Sequence, residues 1–324
     1  MPQKDYLYKS RKGPLAISMT NDYQFRALMQ MNEKVLRALV SALLHLEEEA
    51  IETIEIKNPI ELGTYIEDKD FILDLKILLN SQTVVNLEIQ VINEHNWCER
   101  SMLYLCRAFD NVNRGEDYLH VLPAIQIGLL DFDLFPDRPE FYASYMMLNT
   151  KTYEPYSDKL QIRVMELRRS DDATEEDKEW KLDKWAQFFK AGTWEEIVML
   201  TKDLPVINDA AETVYHISLD DRIREQCEAR EDFYRRQRTT ERLIERQKET
   251  VEKQQKQIQK QKGQIEEQQG QIEEQKGQIE EQKGQIEEQK AQLTTKDEHI
   301  LAQKEQIEKM RQLLQEKGLN PEQI

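Results

Sequence analysis

Two carboxylates face each other in a β-hairpin that the sequence predicts. Residues 71–91 alternate apolar and polar side chains with a period of two, on either side of a turn at Asn80-Ser81. Folding the chain at this turn brings Asp74 opposite Glu88. Facing carboxylates repel each other and destabilise a bare hairpin. A bound divalent cation reverses the sign of that interaction, so the pair is a candidate metal site.

The oxygen ligands of such a site suit Mg²⁺ or Mn²⁺. An ion of this kind makes hydroxide from water and neutralises charge on a phosphate during its transfer. Lys76 and Gln90 lie on the same polar face of the hairpin as the two acids. The pattern Asp…Glu-x-Gln is short, however, and an ordinary hairpin with one solvated face is the alternative interpretation.

Three further side chains are candidates for supporting this site. Arg100 and Tyr104 are four residues apart in a segment with helical spacing, so they share one helix face that can be turned towards the hairpin. Glu33, in an earlier helical segment, is a candidate additional metal ligand. The competing interpretations are a surface Arg, a Tyr at the edge of the core and a solvent-facing helical Glu.

The segments around the hairpin predict a mixed α/β sheet flanked by helices. A helical stripe of apolar residues begins after a cap at Asn21 or Asp22 and runs to Leu44. A nearly continuous apolar run at 119–135 is typical of a buried central strand. The remaining predicted strands lie before Asn58-Pro59, at 141–149 and at 160–167.

These segments also suggest the domain organisation of the chain. We expect a flexible N-terminal arm, a sheet-containing core, a helical subregion that begins with a polar loop at 168–179, a heptad-repeat coiled coil and a short tail. The corresponding ranges are 1–20, 21–165, 166–240, 241–318 and 319–324.

Composition limits the classes of function. The chain has 324 residues and a net charge of −17. Residues 241–324 hold 15 basic and 18 acidic residues, which leaves a net charge of −14 on residues 1–240 and argues against strong non-specific DNA binding. No apolar run is long enough for a membrane span, and residues 1–13 lack the apolar region of a secretion signal. With three cysteines, an odd number without metal-ligand spacing, we expect a cytoplasmic protein.

The C-terminal segment is a repeat in which an aliphatic residue recurs every seven positions, which predicts a left-handed coiled coil and a homo-oligomer. With the aliphatic residue at heptad position a, position d is mostly Gln and the glycines fall at the outward position f. We expect this coil to be weak for two reasons. Gln at d removes half of the apolar seam, and each Gly at f destabilises the helix by about 1 kcal/mol relative to Ala. The alternative is a fraying single helix. The a positions are Ile244, Val251, Ile258, Ile265, Ile272, Ile279, Ile286, Leu293, Ile300, Ile307 and Leu314.

Taken in order, several segments of residues 20–235 carry a resemblance to a known family. They are NDYQFRALM, ILDLK, VNLEIQV, CERSMLYL with its Arg-x3-Tyr, GEDYLHVLPAIQIGLLDFDLF, LQIRVMEL and PVINDAAETVYHISLDDRIRE. In this order and spacing they resemble the Rpn family of recombination-promoting nucleases, also described as PD-(D/E)xK family transposases. The heptad repeat lies outside the resemblance.

The resemblance implies a restriction-endonuclease-like fold and Mg²⁺-dependent cleavage of DNA phosphodiesters, tied to recombination, mobile elements or phage defence. Asp74 matches the aspartate of the family, and Glu88 and Gln90 match its Glu-x-Gln. Gln cannot carry the charge that the lysine of the wider superfamily supplies, so that role would fall to Lys76 or Arg100. Phe25-Arg26 stands where the family usually has Phe-Lys, which keeps the charge.

Two other functions compete with DNA cleavage. The first is a non-catalytic scaffold that uses a nuclease-like fold and is assembled by its coiled coil. The second is a transposase that also joins strands. The sequence shows no zinc ligand set and no helix-turn-helix signature to support this second function.

Overall fold

A computed structural model describes residues 6–63, 74–112 and 115–317. The chain divides into two compact units, Met1–Arg242 and Leu243–Ile324. The first unit holds the sheet and most of the helices, and the second is formed by the C-terminal part of one long helix.

One mixed sheet of six strands forms the centre of the first unit, in the order β1-β2-β3-β4-β6-β5. The three strands β3, β4 and β6 pair in parallel, and the other pairs are antiparallel. This confirms the predicted mixed α/β architecture. The strands are β1 Ile54–Ile56, β2 Leu75–Leu79, β3 Thr83–Gln90, β4 Ala124–Leu130, β5 Tyr142–Met146 and β6 Leu160–Glu166.

The predicted hairpin is formed by β2 and β3. Lys76 pairs with Asn86 in the antiparallel register, as the sequence predicts. The turn contains Asn80 and Ser81, with φ of 50° and 54°, a left-handed conformation that Asn tolerates better than most residues. The strand predicted from residue 71 begins at Leu75 in the structure, and residues 71–73 lie outside the described part of the chain.

The described part of the chain contains eight α-helices. The sequence predicts one apolar stripe from Asn21 to Leu44, but the structure divides it at Asn32. The Asn32 side chain accepts a hydrogen bond from the Val35 amide and thereby caps a second helix. The helices are α1 Asp22–Met31, α2 Glu33–Leu44, α3 Trp97–Phe109, α4 Glu175–Glu179, α5 Leu182–Lys190, α6 Trp194–Leu200, α7 Ile207–Leu219 and α8 Asp221–Glu316.

Helical layers cover the two faces of the sheet. On one face, Leu87 and Ile127 belong to the main core, together with buried residues of α1, α2, α5 and α7. On the other face, α3 packs against β3, β4 and β6. Because β4 is buried along its whole length, its apolar run reflects a central strand, as predicted. No helix among the described residues is long and apolar enough to cross a membrane.

Two segments differ from their predicted conformations. In the expected N-terminal arm, Tyr8 is fully buried, and its hydroxyl donates to Asn208 Oδ1 at 2.8 Å. The sequence did not reveal this packing because the partner is 200 residues away. The expected polar loop at 168–179 instead contains a 3-10 turn and α4, which begins with a capping box between Thr174 and Asp177.

The second unit is helical from Leu243 to Glu316, as the heptad pattern predicts. From Ile244 to Ile307 its a-position side chains lie at the surface of the helix, with exposed fractions from 47% at Ile244 to 60% at Leu293. Leu314, the last a position, is only partly exposed. The helix therefore presents an apolar stripe of one aliphatic residue per heptad, interrupted by Gln at position d.

Candidate active site

The two predicted acids are neighbours at the open end of the hairpin. Asp74 directly precedes β2, and Glu88 directly follows Leu87, the register partner of Leu75. Both are buried, with only 8% of Asp74 and 4% of Glu88 exposed. Burial of two adjacent carboxylates is costly unless protons, cations or hydrogen bonds compensate it.

A short network of side chains holds Glu88 in place. Arg100 Nη2 on α3 donates to Glu88 Oε2 at 2.9 Å, and Gln126 Nε2 on β4 donates to Glu88 Oε1 at 2.9 Å. Asn86 Nδ2 in turn donates to Gln126 Oε1, also at 2.9 Å. Because both carboxylate oxygens accept a hydrogen bond, the side chain has a fixed orientation.

Burial dominates the electrostatics of both acids. It raises the pKa of Glu88 to about 7, an effect that the charge of Asp74 increases and that Arg100 opposes. Burial also raises the pKa of Asp74, opposed by a hydrogen bond from Asn86 and by the charges of Arg100 and Arg26. Burial therefore favours the protonated form of both carboxyl groups, and an ionised pair here needs positive charge to compensate it.

The raised pKa of Glu88 predicts a pH-dependent stability in metal-free buffer. Because its folded pKa of about 7 exceeds the ordinary 4.5, the folded state binds this proton more tightly than the unfolded chain. Stability should then fall as pH rises from about 4.5 to about 7, by on the order of 2–3 kcal/mol. Urea unfolding at about pH 5 and about pH 8, compared with Glu88→Gln, measures this loss. An equal pH dependence in the two proteins would contradict the assignment.

The backbone of Asp74 is fixed by two residues that sequence reasoning did not assign to the site. Arg26 on α1 is fully buried and donates through Nη1 to the Asp74 carbonyl at 2.5 Å and through Nη2 to the Asn58 carbonyl. Asn58 Nδ2 donates to the same Asp74 carbonyl at 2.9 Å, and Asn58 Oδ1 accepts from the Lys76 amide at 2.8 Å. Burial lowers the pKa of Arg26 to about 10, so it is still charged near neutral pH.

A cavity of about 190 Å³ opens beside Asp74. The predicted residues Lys76 and Tyr104 both line it, together with a second α3 cation, Arg107, that the sequence did not single out. The guanidinium carbons of Arg100 and Arg107 lie 5.3 and 5.8 Å from the centre of the Tyr104 ring. The lining residues are Asn58, Asp74, Lys76, Asn86, Tyr104, Arg107 and Ala108.

The remaining two predicted residues have different positions. Gln90 lies two residues beyond Glu88 on β3, and its Nε2 donates to the Ile92 carbonyl at 3.1 Å. Glu33 does not line the cavity. It is an exposed residue in the first turn of α2, where it forms an ion pair with Arg37 at 2.9 Å. Its negative charge also interacts favourably with the positive end of the helix dipole. The structure therefore gives Glu33 a helix-terminal position rather than one beside Asp74.

The oxygen atoms at this site fit a divalent cation. Asp74 Oδ1 and Gln90 Oε1 are buried and have no hydrogen-bond partner within the described chain. Carboxylate and amide oxygens are the donors that hard cations prefer. A set of three or more acidic, His or Cys ligands is not found among residues 6–63, 74–112 and 115–317. The protein would therefore supply two carboxylates, with amide oxygen, water or phosphate as the other ligands.

The sheet topology and the Asp–Glu pair beside a cation-lined cavity define an α/β nuclease-type fold. The chain belongs to the family described as PD-(D/E)XK nuclease family transposase, whose model matches residues 19–242. This match confirms the family and fold expected from the sequence segments, and it supports a nuclease-like or transposase-like function. No curated protein and no solved structure matches the chain significantly.

The sequence contains a recognisable signal for one of the supporting residues, Gln126. Gln126 is a polar residue within the apolar run of β4, and its register partner is Asn86. A polar residue in a strand buried on both faces needs a hydrogen-bond partner, so its presence indicated a polar network. Arg26 and Asn58 gave no comparable local signal, since their contacts depend on the tertiary fold.

Proposed function

We propose that this protein is a Mg²⁺-dependent DNA endonuclease that hydrolyses phosphodiester bonds. The observation that carries the proposal is the pair of buried carboxylates, Asp74 and Glu88, with raised pKa values beside a cation-lined cavity. Family membership supports nuclease chemistry, which in such folds generally depends on a divalent metal. Asp74 and Glu88 would hold Mg²⁺, or Mn²⁺, which when bound supplies an activated water and offsets phosphate charge.

The surrounding residues have distinct roles in this proposal. Arg100 would hold Glu88 in its orientation and add a positive charge beside the metal ion. Lys76 and Arg107 would bind a phosphate at the mouth of the cavity through their positive charges. Gln90 Oε1, which is buried and has no hydrogen-bond partner within the described chain, would orient a water molecule. Tyr104 supports the two arginines of α3 through its ring.

The acidic first unit makes this local positive charge important for DNA binding. Residues 1–240 carry a net charge of −14, so a phosphate backbone is repelled by most of the surface. Lys76, Arg100 and Arg107 are concentrated around the acids. Binding should therefore depend on these cations and on the metal.

Plasmid nicking tests the proposal directly. Purified protein should convert supercoiled DNA to open-circular and linear forms in Mg²⁺ and in Mn²⁺, and it should leave the DNA intact in chelator. Cleavage in chelator would exclude the proposed chemistry. If folded protein does not cleave in either metal, including on recombination intermediates and phage DNA, the nuclease proposal is wrong.

Metal binding should also be visible as increased stability. A ligand that binds only the folded state stabilises it by RT ln(1 + [L]/Kd), so saturating Mg²⁺ or Mn²⁺ at about 100 times Kd should add about 2.7 kcal/mol and raise the Tm. Asp74→Ala should remove this response. Glu33→Ala is the matched control and should retain it, because Glu33 lies outside the cavity. A response that survives in Asp74→Ala would place the metal elsewhere.

The heptad helix favours a second property of the protein, self-association. We propose that residues 241–318 form a homo-oligomeric coiled coil, because their apolar stripe is about half exposed in the single chain. In this organisation residues 21–165 supply the nuclease core and residues 166–240 a helical subregion, in a cytoplasmic protein. If the cleavage test fails, assembly through this helix is the function that remains, as a scaffold with a nuclease fold.

A further inference from the structure

The apolar stripe of the second unit is a surface that a partner with a matching repeat would cover. Its a-position residues recur every seven positions and remain about half exposed along the helix. We propose that a second copy of this chain covers the stripe in a parallel, in-register, two-stranded coiled coil. This inference rests on the proposed self-association and adds the orientation and register of the chains, with a pair of chains as the smallest assembly that covers the stripe.

The composition of the core layers favours the parallel arrangement. From Ile258 to Gln289 every a position is Ile and every d position is Gln. Parallel in-register chains place a against a and d against d, so Ile layers alternate with Gln layers. Each Gln amide then has a donor and an acceptor opposite its own acceptor and donor. In antiparallel chains a faces d, and each buried amide would lie against Ile without a hydrogen-bond partner.

The charges beside the core provide an independent argument. Position e is Lys in most heptads, whereas position g is mostly Gln and never acidic in the described helix. In a parallel pair g faces e of the partner, so Gln faces Lys. In an antiparallel pair e faces e, which sets a row of like charges on one side of the coil. The e-position lysines are Lys248, Lys262, Lys276, Lys283, Lys290 and Lys304.

Within α8, one d position opposes self-pairing in either orientation. Lys296 occupies a d position, where a parallel pair would place two ammonium groups at the same level. The flexible stem of Lys allows its charge to reach water at the edge of the coil, and Asp297 follows at e. An antiparallel pair would place Lys296 in an aliphatic layer, so this residue does not reverse the preference.

The parallel orientation has a functional consequence. In each chain the nuclease unit precedes the heptad helix, so a parallel coil begins with two nuclease units tethered at the same end. Tethering raises the effective concentration of the second site for a DNA already held by the first.

Disulfide trapping in the full-length chain tests the orientation. In a Cys98→Ser, Cys106→Ser background, which removes the two accessible thiols, Gln254→Cys places one thiol at a d position near the start of the coil. Mild oxidation should give a covalent dimer, because parallel chains bring the two thiols together. A centred antiparallel coil would hold them roughly 75 Å apart at about 1.5 Å per residue.

Light scattering on the same samples separates the ways in which the inference can fail. A dimer mass with the disulfide supports it. A dimer mass without the disulfide overturns the orientation or register and leaves self-association intact. A trimer or larger mass overturns the two-stranded form, and a monomer at all accessible concentrations overturns both the inference and the proposed self-association. Plasmid nicking is scored separately, so none of these results is confused with a failure of the nuclease proposal.

A charge series gives effects of opposite sign for the two orientations. Gln271→Glu, Gln278→Glu and Gln285→Glu together place acids at g. In a parallel pair they face Lys276, Lys283 and Lys290 of the second copy and should lower the dissociation constant by roughly tenfold or more at low salt. In an antiparallel pair the new acids face each other, and the dissociation constant should rise.

The control makes two of the same Gln→Glu changes away from the interface. Gln259→Glu with Gln312→Glu introduces acids at the outward positions b and f, so the dissociation constant from sedimentation should change little. A rise in the dissociation constant of the g-position variant, or an equal change in the control, would overturn the parallel arrangement.

Discussion

Glu88→Gln should abolish metal-dependent plasmid nicking, with a loss of roughly 10²–10³-fold or more, while the protein remains folded. The substitution keeps the shape of the side chain and an oxygen that can accept from Gln126 or Arg100, but it removes the negative charge that a divalent cation requires. Asp74→Asn should have the same effect for the same reason. Initial nicking rates in Mg²⁺, with circular dichroism to confirm folding, provide the measurement.

The stability of Glu88→Gln separates loss of chemistry from loss of fold. In metal-free buffer near pH 8 the variant should be at least as stable as the wild type, because it no longer has to keep a buried carboxylate ionised beside Asp74. An inactive but stable variant therefore points to a functional acid. Glu99→Gln, an exposed acid on the same helix as Arg100, is the matched control and should retain wild-type nicking. Wild-type rates in both Glu88→Gln and Asp74→Asn would exclude this site.

The sequence predicted the part of this site that depends on local patterns. The alternation of apolar and polar residues and the Asn80-Ser81 turn were enough to define the hairpin and to place Asp74 beside Glu88. The apolar run of β4 was enough to identify a central strand. These features depend on residues close together in the chain, and a period of two or a turn signal records them directly.

The supports of the site depend on contacts between distant residues. Arg26 reaches the Asp74 carbonyl across 48 positions of sequence, and Gln126 reaches Glu88 across 38. The pattern of apolar and polar residues within α1 or β4 does not indicate which distant group such a side chain will contact. The same limit applies to Tyr8, which was expected in a flexible arm but is buried against α7 through Asn208.

The register of α3 over the sheet is a further element that only the structure reveals. Glu88 pairs with Gly128 on β4, and the Trp97 ring at the start of α3 lies directly over this glycine. A Cβ atom on residue 128 would lie 2.2 Å from Trp97 Cζ2. The absence of a side chain there lets α3 approach closely enough for Arg100 to reach Glu88.

Gly128→Ala should therefore reduce both stability and nicking. The new methyl group must displace the buried Trp97 ring, an overpacking that typically costs about 1–3 kcal/mol in the free energy of unfolding. Since α3 also carries Arg100 and Tyr104, its displacement should weaken the contact with Glu88 and lower the nicking rate. Urea unfolding and nicking at saturating Mg²⁺ measure the two effects. Gly192→Ala is the control, because a Cβ there meets nothing closer than 3.8 Å.

A second substitution tests the cause of this effect. Trp97→Leu removes the ring atoms that the Gly128→Ala methyl group would strike, so the two changes together should cost less than the sum of their separate costs. A coupling of this sign, with partial recovery of nicking in the double variant, would show that Gly128 acts by giving α3 its position over Glu88. If the stability costs of the two substitutions were strictly additive, Gly128 would act through its own backbone. The proposed link from β4 through α3 to the two acids would then be wrong.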